Sequence, residues 1–180
     1  EPVMKNSSAS VWDLGDGVLC FEFTSMANSL DEGIMVMLNK TISAIEKGDE
    51  YTALVIHNEG KNFSVGANIG VMLFSANIAA WPQLQAGIKG GQDVYMKLRF
   101  GKFPVVSAPS GIAVGGGCEI LMHSDAVQAH AETYTGLVEV GVGVMPGWGG
   151  CKEMVRRHLA TKRSARGPMP ALVKALELLG

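Results

Sequence analysis

The chain has 180 residues, a net charge of −2 at pH 7, 47% hydrophobic residues and 18% charged residues. This composition predicts one globular domain with a core and excludes a disordered chain, and the near-neutral charge gives no reason to expect a nucleic-acid partner. The three cysteines, Cys20, Cys118 and Cys151, are widely spaced and form no CxxC pair. We therefore expect no disulfide, no metal site, and a reducing compartment such as the cytoplasm.

The first half of the chain predicts alternating strands and helices. Residues 18–23 (VLCFEF) are typical of a strand, and apolar residues at helical spacing predict a helix over residues 30–47. Residues 53–57 (ALVIH) are wholly apolar, which is typical of a buried parallel strand. The longest apolar segment covers residues 69–81, and polar residues within it leave it too short to cross a membrane. No membrane partner is therefore expected.

The second half continues the alternation. Pro82 is expected to interrupt the apolar segment, and apolar spacing then predicts a helix over residues 84–98. Residues 104–108 (PVVSA) and 126–129 (AVQA) predict strands, and residues 149–159 predict a helix. This order predicts βαβ units with right-handed crossovers, and therefore an α/β fold with a parallel sheet.

Two small-residue loops and one acid are candidates for chemistry. A helix that starts within residues 115–120 (GGGCEI) would present free backbone N–H groups, which suit a developing oxyanion, and Glu119 would project from its first turn. Residues 63–69 (FSVGANI) leave N–H groups open in the same way. Glu139 is a lone acid among apolar residues and glycines, where a carboxyl group can hold a proton. Taken singly, each feature is also explained by a tight turn, by an acid that favours the helix dipole, or by an exposed loop acid.

Together these segments resemble the crotonase superfamily, the enoyl-CoA hydratase/isomerase family. FSVGANI (63–69) is similar to the first oxyanion loop, usually F-x-x-G-A-D-I, and residues 104–120 resemble the second oxyanion segment. Residues 124–150 resemble the region with the second catalytic acid and the P-G-x-G-G turn, and residues 26–32 (MANSLDE) resemble the first CoA-contacting turn. The resemblance covers residues 11–155. It implies a crotonase-like spiral of ββα repeats with a mainly parallel sheet.

The resemblance also implies a site. Glu119 and Glu139 match the two glutamates of the hydratases, which favours hydration of trans-2-enoyl-CoA in fatty-acid β-oxidation. The N–H groups of Ala67 and Gly116 would form the oxyanion hole; Glu119 would activate water for attack at C3, and Glu139 would give a proton to C2. No cofactor is implied, because the thioester of the acyl-CoA substrate is itself the electron sink. The residues implied to contact CoA or substrate are Met26, Ala27, Gly66, Asn68, Ile69 and Gly115.

Two positions depart from the family pattern. Asn68 stands where the family has Asp, and Gly70 stands where a Lys is frequent. The resemblance implies that the family contacts adenine near this point mainly through its backbone. We therefore expect both departures to have modest effects.

We expect residues 1–180 to form a single crotonase-like domain that is part of a longer protein. The chain begins without methionine and stops where crotonase domains continue into helices that cover the pocket. The C-terminal helical region is thus expected to be largely missing, with residues 162–180 forming an exposed connection and the start of that region. Without its cover, the apolar segment 69–81 should be mobile or buried against another chain, and the chain should be less stable and less active than a longer one.

The setting and the reaction have alternatives. The chain is most similar to the hydratase part of fused 3-hydroxyacyl-CoA dehydrogenase/enoyl-CoA hydratases, so the implied partners are a multifunctional β-oxidation protein or a trimer-type homo-oligomer. Family isomerases often keep only the second acid, and a Δ3-Δ2-enoyl-CoA isomerase is the first alternative. A non-catalytic CoA-binding or assembly module is the second.

Overall fold

A computed structural model describes residues 1–48, 50–161 and 167–179 of the chain. Most of its strands form one six-stranded sheet, and a two-stranded sheet lies apart from it. In spatial order the large sheet contains β1 (Met4–Lys5), β2 (Ala9–Asp13), β3 (Val18–Phe23), β4 (Ala53–His57), β5 (Val105–Ala108) and β7 (Ala126–Val127). The small sheet pairs β6 (Ile112–Val114) with β8 (Tyr134–Gly136).

The pairing confirms the predicted parallel sheet and adds an antiparallel edge. Strands β3, β4, β5 and β7 are parallel neighbours, whereas β2 pairs antiparallel with β3, and β1 pairs antiparallel with β2 at the edge. The sequence did not predict β1 or β2, because buried polar residues hide the apolar pattern. Ser10 is buried within β2, where its hydroxyl donates to the carboxylate of Glu22 at 2.8 Å. A paired polar side chain of this kind is compatible with a core position, although it resembles a loop residue in the sequence.

Six helices complete the described architecture. They are α1 (Glu32–Lys47), α2 (Ile69–Asn77), α3 (Trp81–Phe100), α4 (Gly116–His123), α5 (Gly150–Thr161) and α6 (Met169–Leu179). The start of α1 is fixed by Asp31, whose carboxylate accepts from the Ile34 N–H at 2.8 Å. Its end is fixed by Gly48, which has a φ of +72°. No helix in the described ranges is long and apolar enough to cross a membrane.

Three predicted boundaries were wrong. Pro82 was expected to interrupt the apolar segment ahead of a helix over residues 84–98; it lies instead in the first turn of α3, where its missing N–H would have had no partner. The strand predicted over residues 126–129 is only two residues long, and β6 and β8 were missed because short strands give little pattern. The connection predicted from residue 162 lies partly outside the described residues, and the final helix already begins at Met169.

The core lies where α1 and α3 pack on the sheet, and it positions the candidate site. One face of α1 is buried through Ile34, Leu38 and Ile42, at the spacing of a helical stripe. Tyr95 of α3 is fully buried beneath the start of α4, and all eight residues of α4 are buried. By contrast, no residue of α2 is buried. The site therefore has one side built into the core and one side at the surface.

Candidate active site

The two small-residue loops lie side by side. The Ser64 N–H donates to the Ile112 carbonyl at 2.9 Å, and the Val114 N–H donates to the Ser64 carbonyl at 3.0 Å. Gly66 has a φ of +86°, and a Cβ there would lie 3.3 Å from the backbone nitrogen of Gly116. Only glycine permits this conformation together with so close a contact. The structure thus brings the first loop directly onto the N-terminus of α4.

Two backbone N–H groups at this junction are open. Gly116 is the first residue of α4, so its N–H belongs to the donors that a helix leaves unpaired, at the positive end of its dipole. Within the described residues, neither the Gly116 N–H nor the Ala67 N–H has a hydrogen-bond partner. Both residues line the same cleft. The junction is chemically suited to an anionic or strongly polarised oxygen.

Glu119 lies one turn into α4 and is buried, with 1% of its surface exposed. Its Oε1 accepts from the Trp148 N–H at 2.9 Å and from the Gly150 N–H at 2.7 Å. Burial raises the pKa of Glu119 to about 7, and the nearby charge of Glu139 adds to the rise, while the Gly150 and Trp148 N–H groups oppose it. The carboxyl group is therefore fixed in place and able to gain or lose a proton near neutral pH.

Glu139 begins a short 3-10 helix (Glu139–Val142) on the other side of the cleft. Its Oε2 is buried and has no hydrogen-bond partner among the described residues. Its Oε1 would lie 3.4 Å from a Cβ at Gly115, so the bare backbone of that glycine makes room for the carboxyl group. Burial raises the pKa of Glu139 as well. Both predicted acids thus line one cleft, next to the two loops.

The charge of one carboxyl group affects the proton of the other. Burial is the main cause of the high pKa of Glu119, and the negative charge of Glu139 raises that pKa further. Coupled carboxyl groups lose their protons in two steps that belong to the pair. Two carboxyl groups of which one carries a proton offer an acid and a base together. A reaction that removes one proton from a reactant and donates another requires both.

A buried aromatic cluster fixes the start of α4. The Tyr95 hydroxyl donates to the Gly116 carbonyl at 2.9 Å, and burial raises the pKa of Tyr95 well above its usual value, with Glu119 and Glu139 adding to the rise. The His123 Nδ1 donates to the Glu119 carbonyl at 2.7 Å, and its ring packs against Tyr95 with centroids 5.4 Å apart. These contacts fix the Gly116 and Glu119 carbonyl groups. They therefore also fix the direction of the open N–H groups at the start of α4.

The cleft itself has a volume of about 340 Å³ and mostly apolar walls. The two acids, Asp31 and Asn68 are its polar side chains. Within the described ranges no cluster of His, Cys, Asp and Glu side chains could hold a metal ion. The remaining lining comes from α2, α3 and the segment before α5, and includes Met72, Leu84, Gly87, Ile88, Val142, Met145 and Trp148. Such walls suit a hydrocarbon chain attached to a polar reacting group.

Comparison with known proteins identifies the family. The family profile described as enoyl-CoA hydratase/isomerase matches residues 15–168. This chain belongs to that family. A probable 3-hydroxyacyl-CoA dehydrogenase of Bacillus subtilis is 40% identical over 177 residues and covers 98% of the chain. A putative fatty acid oxidation complex trifunctional enzyme of Rickettsia felis is 34% identical over 160 residues and covers 89% of it. The chain spans only 22% of the length of each of these relatives.

Solved structures confirm the crotonase fold. An enoyl-CoA hydratase from Polaromonas sp. JS666 is similar with a TM-score of 0.80 and 25% identity over 95% of this chain and 62% of that one. A putative enoyl-CoA hydratase from Streptomyces coelicolor A3(2) has a TM-score of 0.81 and 21% identity over 99% of this chain and 62% of that one. The predicted α/β architecture with a mainly parallel sheet is therefore correct, and the chain matches part of a crotonase-fold chain.

The residues predicted to contact CoA divide into two groups. Gly66, Asn68, Ile69 and Gly115 line the cleft with the acids, whereas Met26 and Ala27 do not. The latter two lie in a 3-10 turn (Met26–Asn28) in which Met26 is 91% exposed. The Ser64 hydroxyl ties this turn to the first loop by donating to the Asn28 carbonyl at 2.7 Å. A role of Met26 and Ala27 in binding CoA outside the cleft stays a prediction.

Asn68 has a structural task that the sequence did not reveal. Its side-chain oxygen accepts from the Val71 N–H at 3.3 Å and so caps the start of α2. Asp, which is usual in the family at this position, could make the same contact. This shared capping ability explains how the departure from the family pattern leaves the local fold intact.

The sequence reasoning missed the groups that hold Glu119. Trp148 and Gly150 supply its two N–H donors, although Gly150 lies 31 residues away along the chain. Gly149 and Gly150 are both tightly packed: a Cβ at Gly149 would lie 2.9 Å from the His123 ring, and a Cβ at Gly150 would lie 3.0 Å from the Glu119 carboxylate. The glycines of the P-G-W-G-G turn indicate open backbone N–H groups. The sequence does not indicate which side chain forms hydrogen bonds with them.

Proposed function

We propose that this chain is an enoyl-CoA hydratase, which adds water across the 2,3 double bond of trans-2-enoyl-CoA. The observation that carries the proposal is the pair Glu119 and Glu139 in one cleft, one held by two N–H groups and the other with an unpaired oxygen. Hydration needs a base for water and an acid for carbon, and two coupled carboxyl groups supply both. Membership of the enoyl-CoA hydratase/isomerase family supports chemistry on an acyl-CoA thioester of this kind.

The proposed reaction uses the open N–H groups first. The thioester oxygen accepts from the Ala67 and Gly116 N–H groups, which stabilise the negative charge that develops when the thioester becomes an enolate. No cofactor is needed for this step, because the electrons move into the thioester. Only donors that are fixed before the reaction stabilise such a charge efficiently, and the Tyr95 hydrogen bond to Gly116 provides this fixation.

Water then adds across the double bond. Glu119 takes one proton from a water molecule whose oxygen bonds to C3, and the electron pair of the double bond passes to C2 and the thioester oxygen. Glu139 gives its proton to C2 as the enolate collapses. The substrate gains one water molecule, and a proton passes from Glu119 back to Glu139 through solvent. Burial raises the pKa of Glu119 to about 7 and also raises the pKa of Glu139, which favours proton exchange by these carboxyl groups.

We further propose that the chain works in fatty-acid β-oxidation as part of a multifunctional protein in the cytoplasm. The support comes from two longer relatives, a probable 3-hydroxyacyl-CoA dehydrogenase and a putative fatty acid oxidation complex trifunctional enzyme. The product of hydration is a 3-hydroxyacyl-CoA, which is the substrate that a dehydrogenase of the first name requires. All three cysteines are free thiols, which suits a reducing compartment.

Product analysis tests the proposal. The purified protein is incubated separately with a trans-2-enoyl-CoA and with the 3-enoyl-CoA of the same length, in oxygen-labelled water. We expect labelled 3-hydroxyacyl-CoA from the 2-enoyl substrate. Interconversion of the two enoyl isomers without label would establish an isomerase instead. Tight acyl-CoA binding with neither product would establish a non-catalytic binding module.

A further inference from the structure

Trp148 is the largest side chain of the cleft wall, and three neighbours hold its ring. A Cβ at Gly91 would collide with the indole Nε1, and a Cβ at Gly116 would lie 2.8 Å from Cζ3 at the other end of the ring. Tyr95 packs edge-on against the indole with centroids 5.4 Å apart and planes inclined by 65°. The ring is therefore wedged between α3 and α4, while the half-buried residue still lines the cleft.

The position of the ring relates it to the acyl group. This step rests on the proposed function, in which the thioester oxygen meets the N–H groups at Gly116 and Ala67. C2 and C3 then lie between the acids, and Glu119 is held by the N–H of Trp148 itself. The carbons beyond C3 must leave the acids along the adjoining wall. That wall is apolar, and Trp148 contributes to it together with Ile88 and Met145.

We propose that the Trp148 indole closes the acyl end of the cleft and determines the longest acyl chain that the protein accepts. Gly91 is its structural partner, because the side chain of any other residue at position 91 would occupy the space of the indole. Gly87, one helical turn earlier, also lines the cleft, so α3 presents a bare face on this side. Removing the indole would join the acyl end of the cleft to the space beside Gly91 and Tyr95.

The test compares two substrates within each variant. The ratio of kcat/KM for trans-2-dodecenoyl-CoA to that for crotonyl-CoA is measured for the native protein and for Trp148→Ala. We expect the ratio to rise by at least about tenfold, since a few methylene groups that gain room in an apolar pocket change specificity by this order. Because both substrates meet the same enzyme preparation, the ratio does not depend on the folded fraction. An unchanged ratio, or an equal fall in activity on both substrates, would overturn the proposal.

Two further variants keep the test decisive if Trp148→Ala folds poorly. Trp148→Leu retains an apolar side chain and should raise the ratio by a smaller factor. Trp12→Ala removes an indole that is 38% exposed on β2, away from the cleft, and should leave the ratio unchanged. A rise in Trp12→Ala as large as in Trp148→Leu would count against the proposal.

The pairing of Trp148 with Gly91 gives an independent check. Gly91→Ala should lower the melting temperature of the native protein, because its new Cβ collides with the indole. In the Trp148→Ala background the same substitution should be tolerated, since the colliding ring is gone. Equal destabilisation by Gly91→Ala in both backgrounds would show that the indole does not occupy this space, and would overturn the proposal.

Binding separates this inference from the proposed function. The Kd values of butyryl-CoA and dodecanoyl-CoA, which cannot be hydrated, are measured by calorimetry for native protein and Trp148→Ala. Tighter relative binding of dodecanoyl-CoA by the variant supports the proposal even if no enoyl-CoA is hydrated, in which case only the proposed function fails. An identical Kd ratio in both proteins overturns the acyl-length proposal whether or not hydration occurs.

Discussion

Helices α2 and α4 begin beside the same cleft, and each follows a loop of small residues, yet their surroundings are opposite. Every residue of α4 is buried, whereas none of α2 is. The α4 side carries Gly116 and Glu119, and the α2 side carries Ala67 at its entry. The difference shows that α4 is held by the core, whereas α2 leaves its residues at the surface although the loop before it is tied to β6.

The two helices differ in burial because they have different neighbours. Gly116 and Gly117 let α4 come close to Trp148 and Ser64, and the Tyr95 hydroxyl binds its first carbonyl. Helix α2 is capped by Asn68, but most of its apolar residues are exposed. Five apolar side chains from α2 to the first residue of α3 are each 59–64% exposed: Val71, Leu73, Phe74, Ile78 and Trp81. That this surface is mobile or covered by another chain stays a prediction. An exposed apolar patch of this kind usually marks a contact with another molecule.

The largest effect is expected on the side held by the core. Glu119→Gln retains an acceptor for the Trp148 and Gly150 N–H groups but cannot take a proton, so hydration should fall by about 10²–10⁴ in kcat. Glu139→Gln should cause a loss in the same range. The Kd of a saturated acyl-CoA serves as the control and should be unchanged. Full hydratase activity in Glu119→Gln would refute its role as the base.

The opposite side of the cleft is tested through the Ala67 N–H. Ala67→Pro removes this donor without adding charge, and the loss of one oxyanion donor typically costs about 10²–10³ in kcat. Ala67→Gly keeps the N–H and is the matched control, which should retain most of the activity. If both variants lose activity equally, the loop conformation rather than the donor is responsible.

The burial of Glu119 should make the protein less stable as the pH rises. Its pKa is raised from 4.5 to about 7, so the native state keeps a proton that the unfolded state releases between these values. The free energy of unfolding should therefore fall by up to roughly 3 kcal/mol as the pH increases from about 4.5 to about 7. Urea unfolding at both ends of this range measures the change. In Glu119→Gln most of this dependence should disappear.

The close packing of α4 predicts a difference between two glycines. A Cβ at Gly117 would lie 2.8 Å from the Ser64 Cβ, so Gly117→Ala should lower the free energy of unfolding by about 1–3 kcal/mol. Gly90 in α3 has no atom within 4 Å of such a Cβ. Gly90→Ala should stabilise the protein by about 0.5–1 kcal/mol, because alanine favours a helix more than glycine does. Similar effects at both positions would contradict the packing described for α4.

The smallest effect is expected on α2. Phe74 is 64% exposed, so Phe74→Ser should change the free energy of unfolding by no more than about 0.5 kcal/mol in dilute solution. Thermal unfolding of the native protein and the variant at one low concentration measures this. A loss of several kcal/mol would show that Phe74 is buried in solution, and the contrast between the two helices would then fail.

Much of the fold could be predicted from the sequence, because periodic apolar residues reported the long elements. The strands at residues 18–23 and 53–57 have the predicted bounds, and α1 begins two residues after the predicted start. The elements that were missed are short or carry buried polar residues. In β2, Ser10 is buried through its hydrogen bond to Glu22, and no apolar alternation marks the strand.

The sequence indicated which residues line the candidate site, but not which contacts hold them in place. The glycines of GGGCEI indicated a helix start with open N–H groups, and Glu119 and Glu139 line the cleft as the resemblance implied. Trp148 had no assigned role, because its contacts with Gly91 and Gly116 join segments far apart in the chain. A local sequence pattern describes the backbone of one segment at a time, whereas the wall of the cleft is built from several segments.

The sequence by itself determined the types of group available: two acids in apolar surroundings, two small-residue loops, and an α/β order of elements. Only the tertiary structure decided what those groups can do. It buries Glu119 against the N–H groups of Trp148 and Gly150, which fixes the carboxyl group while desolvation raises its pKa to about 7. The physical reason is that desolvation and directed hydrogen bonds depend on every neighbour within a few ångströms, and these neighbours come from segments that are far apart in the chain.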